Sequence, residues 1–192
     1  MKLGYILGID EAGRGPLAGP VTLAYVASPV TRRRKIFRNI RDSKKLTPRG
    51  REEWFEILKN HPELQVGVTS VGPGTIDKRG ITAAVKIGIN RLLRRLNIKP
   101  KMILLDGSLF APPECPQKTI IKGDEKIPII SAASIIAKVS RDRKMLRLHK
   151  KYPKYGFDKH KGYGTKAHLQ KLKIHGACAI HRTRFAPIAK LI

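Results

Sequence analysis

The chain reads as an α/β protein built on a mixed five-stranded sheet flanked by helices. Three patterns in its 192 residues predict this. Short apolar runs with β-branched residues fill the first part of the chain. Two long stretches, residues 75–96 and 129–151, place apolar residues three and four apart. Two further compact apolar runs lie between those stretches. Closely spaced strands favour an antiparallel meander, whereas strands separated by helices favour parallel crossovers. The chain is 41% hydrophobic and its length suits one domain, with about residues 1–150 as a core and about 151–192 as an appendage.

Residues 3–9 form the first expected strand, which ends abruptly at Asp10-Glu11. Residues 21–27 form the second, and Pro16 and Pro20 keep the link non-helical. Residues 31–45 are strongly basic and are expected to be a loop with a short helical piece. Thr47-Pro48 supplies an N-cap and a proline at the first helical position, which predicts a helix to about Leu58. Its buried stripe is expected at Trp54, Ile57 and Leu58. Residues 65–71 read as the third strand, through Val66, Val68 and Val71. Residues 75–96 read as one helix with Ile81, Val85, Ile89, Leu92 and Leu96 inward; Gly88 costs it about 1 kcal/mol relative to Ala. Residues 101–106 and 118–122 are the fourth and fifth strands. Residues 129–151 make a second long helix, with Ile135, Val139 and Leu146 on one side. Residues 152–164 are expected to be a loop and 167–174 a last helix.

Forty Lys and Arg against 14 acids give a net charge of +26, which points to a polyanionic partner, nucleic acid first. The charge is clustered: residues 32–51 hold 10 basic side chains and one acid, and residues 138–173 hold 13 and two. Cys115 and Cys178 are too few and too far apart for a disulfide framework or a zinc site, and read as free thiols in a reducing compartment. No signal peptide or bilayer-length apolar run is visible, so the expected location is the cytoplasm.

Against that charge, adjacent acids at the end of a buried strand need an offset for their repulsion and lost solvation, and a divalent metal is the usual one. Asp106 ends the fourth strand and Asp124 precedes the second long helix. Sites in α/β sheets form beyond the carboxyl ends of strands, so Asp10, Glu11, Asp106 and Asp124 converge if those strands are neighbours. Successive side chains on a strand point to opposite faces. Asp10 and Glu11 are therefore expected to share a site only if the strand breaks at Glu11, near Gly13. Taken singly, Asp106 is equally a turn residue and Asp124 a helix-start acid. Together, the four suit two Mg²⁺ or Mn²⁺ ions, one activating water and one stabilising a leaving 3′ oxygen.

These residues resemble the motifs of type 2 ribonucleases H, the ribonuclease HII family. Asp10-Glu11-Ala12-Gly13-Arg14-Gly15-Pro16-Leu17-Ala18-Gly19-Pro20-Val21 is similar to its signature, and Asp42-Ser43-Lys44-Lys45-Leu46, Leu105-Asp106-Gly107 and Lys122-Gly123-Asp124 to the motifs that follow. Ser131 to Asp142, His160 to His168 and His181-Arg182 complete the resemblance. It implies an RNase H-like fold with a helical C-terminal extension. It also implies a monomeric endonuclease that cuts the RNA strand of RNA–DNA hybrids and nicks at single ribonucleotides embedded in duplex DNA, leaving 5′-phosphate and 3′-hydroxyl ends. The four acids match its metal-binding carboxylates, Gly13-Arg14-Gly15 its reader of the ribose 2′-hydroxyl, and Tyr163 its sugar-stacking tyrosine.

The 2′-hydroxyl is the local mark of RNA, and glycine permits the close backbone approach that reading it needs. Gly13 or Gly15 serving only to turn the chain stays an open alternative. Ser43, Lys44, Lys45, Lys138 and Arg141 are the candidate substrate or phosphate contacts. His160, His168 and His181 read as structural or phosphate-contacting rather than as proton shuttles. Arg184 stands where the family often has a small hydroxyl residue. Asp10 lies too near the start for the extra N-terminal domain of type 3 enzymes, and no C-terminal partner-binding tail is expected beyond Ile192. The rival readings are a basic binding module without catalysis and another RNase H-like nuclease. The full set of acids argues against the first, and Gly13-Arg14-Gly15 against the second.

Overall fold

The computed structural model describes residues 4–31, 36–38, 40 and 46–190. Ser43, Lys44 and Lys45 lie outside them. β1 (Tyr5–Ala12) pairs antiparallel with β2 (Val21–Pro29), and β2 pairs antiparallel with β3 (Gln65–Val71). On its other side β1 pairs in parallel with β4 (Pro100–Asp106), which pairs in parallel with β5 (Gln117–Ile120). The sheet order is therefore β3-β2-β1-β4-β5, with β1 central.

Side-chain alternation builds a core on each face of this sheet. On one face Leu7, Ile9, Leu23, Tyr25 and Leu105 pack with Val85, Ile89 and Leu92 of the helix Ile81–Arg94. On the other, Ala24, Val26 and Leu104 meet the first half of a long helix, Pro128–Lys151, with Phe55 and Leu58 of helix α1 (Pro48–Asn60) against it. Each fully buried Leu or Ile contributes about 1.5–3 kcal/mol. Backbone contact is closest at Gly8 of β1, where a Cβ would lie only 2.6 Å from the carbonyl carbon of Ile129.

Some elements depart from expectation. The stretch 75–96 is two helices, α2 (Pro73–Arg79) and α3 (Ile81–Arg94), because Gly80 takes φ +80 and its N–H caps Ile76. β4 and β5 are joined by residues 107–116 with no helix. Gln117 holds that loop by Ala111 N, Ala111 O and Pro112 O, and Thr119 by Leu109 O. In α1, Phe55 is inward while Ile57 is 53% exposed. A single helical turn, α4 (Gly123–Lys126), precedes α5 (Pro128–Lys151), where Met145 is buried and Leu146 exposed.

After α5 come a 3-10 turn (Pro153–Tyr155), α6 (Phe157–His160), α7 (Lys166–His175) and α8 (Ala186–Ala189). Their apolar residues Tyr155, Phe157, Leu172 and Ile188 form a third cluster with Leu17, Ala18 and Met145. The segment after β1 is thus packed against the end of the chain. Among the described residues, no helix is long and apolar enough to cross a membrane.

Candidate active site

The parallel ladder sets Ile9 beside Leu105, so Asp10 and Asp106 follow one another on neighbouring strands. Asp106 Oδ1 accepts from Gly123 N at 2.6 Å and Asp124 N at 3.3 Å. That carboxylate draws the first turn of α4 over the end of β4 and brings Asp124, 2% exposed, to the same place. Asp10 is equally buried and is hydrogen-bonded by Ser134 of α5.

The strand does not break at Glu11, as the sequence had required for a shared site. The ladder continues through Glu11 opposite Leu23 and Ala12 opposite Thr22, because residues 13–20 rather than Gly13 alone make the turn. Glu11 nonetheless reaches the same place, its carboxyl within hydrogen-bonding reach of that of Asp10, and both acids feel Asp106. Burial, then Glu11 and Asp106, hold the Asp10 carboxyl well above the usual carboxylate range. Burial also raises Glu11, opposed by Arg14, whose Nη1 lies 3.4 Å from Oε1. Glu11 Oε2 is buried and meets no donor among the described residues.

Among the described residues, no three His, Cys, Asp or Glu side chains are gathered closely enough to ligate one ion. The set still fits a hard divalent cation: it is all oxygen, two members are shifted against ionisation, and Glu11 carries a bare buried oxygen. Asp10, Glu11, Asp106 and Asp124 are the residues that would hold it.

The two glycines beside Arg14 have different reasons to be glycine. Gly13 is buried at φ +98, and a Cβ there would lie 2.5 Å from Arg141 Cδ and 2.9 Å from Pro20 O, so the turn and its packing demand glycine. Gly15 is exposed and, among the described residues, a Cβ would meet nothing within 4 Å, so none of them requires glycine there. Arg14 reaches Ser108 Oγ at 3.4 Å beside the carboxylates.

Arg141, expected at a phosphate, is fully buried. Its Nε donates to Pro20 O at 3.0 Å and its Nη2 to Ala18 O at 3.2 Å. Arg182, to which the His181-Arg182 motif gives no role by itself, is likewise fully buried and holds Gly13 O, Arg14 O and Gly19 O. The only sequence hint was arginine late in a chain already rich in it.

Tyr163 is 42% exposed. Its ring centroid lies 5.7 Å from Arg141 Cζ and 5.8 Å from Lys138 Nζ, so one guanidinium touches both the Gly13 turn and the tyrosine. Lys138 is half-buried and paired with Asp142 at 3.0 Å. A cleft of about 530 Å³ opens here, lined by Arg49, Arg51, Lys138, Lys159, Lys161 and Tyr163 among others.

The three histidines are structural, and their partners define their tautomers. Gly162 N donates to His160 Nδ1, so His160 Nε2 donates to Tyr155 O. Cys178 N donates to His181 Nδ1, leaving His181 Nε2 to donate to His168 Nε2 at 3.1 Å. His168 Nδ1 then donates to Tyr163 O at 2.9 Å. Burial, then the neighbouring histidines, push His168 down to about 4. The unfolded chain therefore takes this proton more readily than the folded one. The stability due to His168 is complete above about pH 6.5 and is lost progressively towards pH 4. Urea midpoints should fall between pH 6.5 and 5, and His168→Phe should flatten that slope.

The ribonuclease HII family profile matches residues 7–188. A ribonuclease HII of Chlamydia caviae is 48% identical over 187 residues, covering 97% of this chain and 86% of that protein. The ribonuclease H2 of Pyrococcus horikoshii OT3 superposes with a TM-score of 0.78 at 31% identity, over 97% of this chain and 96% of that one. The ribonuclease HII of Archaeoglobus fulgidus, solved in complex with PCNA, does so with the same score and identity over 94% and 95%. This chain belongs to the ribonuclease HII family and is a type 2 ribonuclease H, a hydrolase that acts as an endoribonuclease on RNA–DNA hybrids.

Proposed function

We propose that this enzyme also nicks duplex DNA on the 5′ side of a single embedded ribonucleotide, using two divalent ions held by Asp10, Glu11, Asp106 and Asp124. The observation that carries this reading is Gly15: an exposed glycine that, among the described residues, has no internal need to be one, beside Arg14 and next to the carboxylates. A backbone bare of side chain there lets a ribose approach closely enough for its 2′-hydroxyl to be read. Mg²⁺ or Mn²⁺ at the carboxylates would supply water activation and neutralise charge on the leaving oxygen.

The chain's own groups do the rest. Asp10, buried beneath α5, and half-buried Asp106, which accepts from the first turn of α4, would set where the scissile phosphate sits. Tyr163 offers an exposed ring for the sugar that follows the ribonucleotide, and Lys138, released from Asp142, offers a phosphate contact. Hydrolysis joins the water oxygen to phosphorus, breaks the P–O3′ bond, and leaves a 5′-phosphate and a 3′-hydroxyl.

The test is a duplex with one embedded ribonucleotide, incubated with Mg²⁺ or Mn²⁺ and separately with chelator. A metal-dependent nick 5′ of the ribonucleotide is expected. Cleavage of long hybrids alone would remove the roles given to Gly15 and Tyr163 and leave the carboxylates. Cleavage of neither would favour a basic binding module. In the same assay Tyr163→Ala should slow junction cleavage about 10- to 100-fold, the worth of one stacking contact of ~1–3 kcal/mol. A parental rate for this variant would end the stacking role.

A further inference from the structure

The two elements proposed to read substrate, residues 13–15 and Tyr163, are both held by one dipeptide near the end of the chain. His181 bridges to Ala18 in the manner of a β-pair, Arg182 N donates to Leu17 O at 2.8 Å, and Gly19 N donates to Ile180 O at 2.8 Å. From this seat the Arg182 guanidinium spreads over three carbonyls: Nη2 to Gly13 at 2.6 Å, Nη1 to Arg14 at 2.7 Å and Nε to Gly19 at 3.0 Å. It is fully buried, and among the described residues its guanidinium hydrogen-bonds to backbone carbonyls alone. A buried cation is costly unless it is well hydrogen-bonded, so it marks a place where its geometry matters. Lysine cannot reproduce that planar fork.

The preceding residue faces the other element. His181 Nε2 meets His168 Nε2 at 3.1 Å, and His168 Nδ1 holds the carbonyl of Tyr163 at 2.9 Å. His160 stacks on His168 at 4.3 Å and receives Gly162 N, so the turn that presents Tyr163 is gripped on both sides. Leu17 N donates to Gly162 O at 2.8 Å, which joins the two elements directly. None of these histidine or arginine atoms needs to touch substrate.

Resting on the reading of residues 13–15 and Tyr163 given above, we propose that His181 and Arg182 are positioning residues. They set the spacing between the 2′-hydroxyl reader and the tyrosine, and through it the preference for an RNA-to-DNA step. The carboxylates stand on β1, β4 and α4, and the brace reaches one of them, Glu11, by way of Arg14. A loosened brace costs selectivity before it costs cleavage, because a long hybrid offers many equivalent registers, whereas a lone ribonucleotide offers one.

The experiment compares single-turnover cleavage of an embedded ribonucleotide and of a long hybrid by the parent, Arg182→Lys and His181→Phe, with melting curves. Both variants are expected to lose at least tenfold on the embedded site and no more than about threefold on the hybrid. The Arg182→Lys loss in that ratio should largely vanish in a Tyr163→Ala background, because both changes then disturb one spacing. A role in stability alone would lower both rates together and add to Tyr163→Ala. Should Arg182→Lys not fold, His168→Asn, which keeps a donor near Nδ1 and loses Nε2, carries the same expectation. A parent that fails to cut the embedded site overturns the functional reading itself. A parent that cuts it, with variants that keep the parental ratio, overturns the brace alone.

Discussion

Asp10→Asn is expected to abolish cleavage and, at the same time, to raise the melting temperature. The amide keeps the size of the side chain and an oxygen for Glu11 N, which donates to Asp10 Oδ1 at 2.7 Å. What it removes is a charge that burial, Glu11 and Asp106 already disfavour. Loss of a ligand to ions worth several kcal/mol in the transition state slows turnover by about three orders of magnitude. Relief of about 1 kcal/mol of like-charge repulsion raises the midpoint by about 2–4 °C in a chain of this size. Hybrid binding, carried by the basic cleft, should be largely spared. Turnover retained in both Asp10→Asn and Asp106→Asn would sink the metal-site assignment. A midpoint that drops would show that the carboxylate stabilises the fold instead.

Gly8→Ala should be the most destabilising single methyl in the sheet. Its Cβ would fall on the Ile129 carbonyl, 2.6 Å from that carbon and 3.0 Å from Ile130 N. All three atoms are helix backbone, which cannot rotate aside as a side chain can. Helix α5 must then lift off β1, and it carries Ser134, the partner of Asp10. Overpacking of this kind costs about 3 kcal/mol, or roughly 6–12 °C. Calorimetry of Gly8→Ala beside Gly15→Ala separates the two glycine roles. The second has open space around its Cβ and should melt with the parent. Equal midpoints for all three proteins would refute the close-approach argument.

The sheet was legible because each strand carries its own signal, an apolar run with an adjacent proline or glycine. The antiparallel meander and the parallel β1–β4 pair followed from spacing, whereas β4 and β5 are parallel across a connection without a helix, which spacing did not predict. Element ends were less legible. Asp10 and Glu11 looked like a terminus because they are charged, yet the ladder runs past them, and pairing with Leu23 and Thr22 is a tertiary fact. Gly80 looked like one more residue of a helix, since its φ of +80 has no sequence mark beyond glycine itself. Arg141 and Arg182 were opaque for a deeper reason. In a chain with 40 basic residues, nothing local distinguishes the two that go inside to hold carbonyls from those that meet water.

The hold of Arg182 on Gly13 spans 169 residues of chain. For a free chain, closing such a loop costs about 4.5 kcal/mol plus a constant. The order of synthesis sharpens this cost, because the loop at residues 13–20 leaves the ribosome well over a hundred residues before its brace, Arg182, with a separation of 169 from Gly13. By the time α5 has emerged, β1, β4 and α4 can already assemble the acids. The reader is held only when residue 182 follows. A chain interrupted between those two moments would carry the groups that cut without the grip that tells them where.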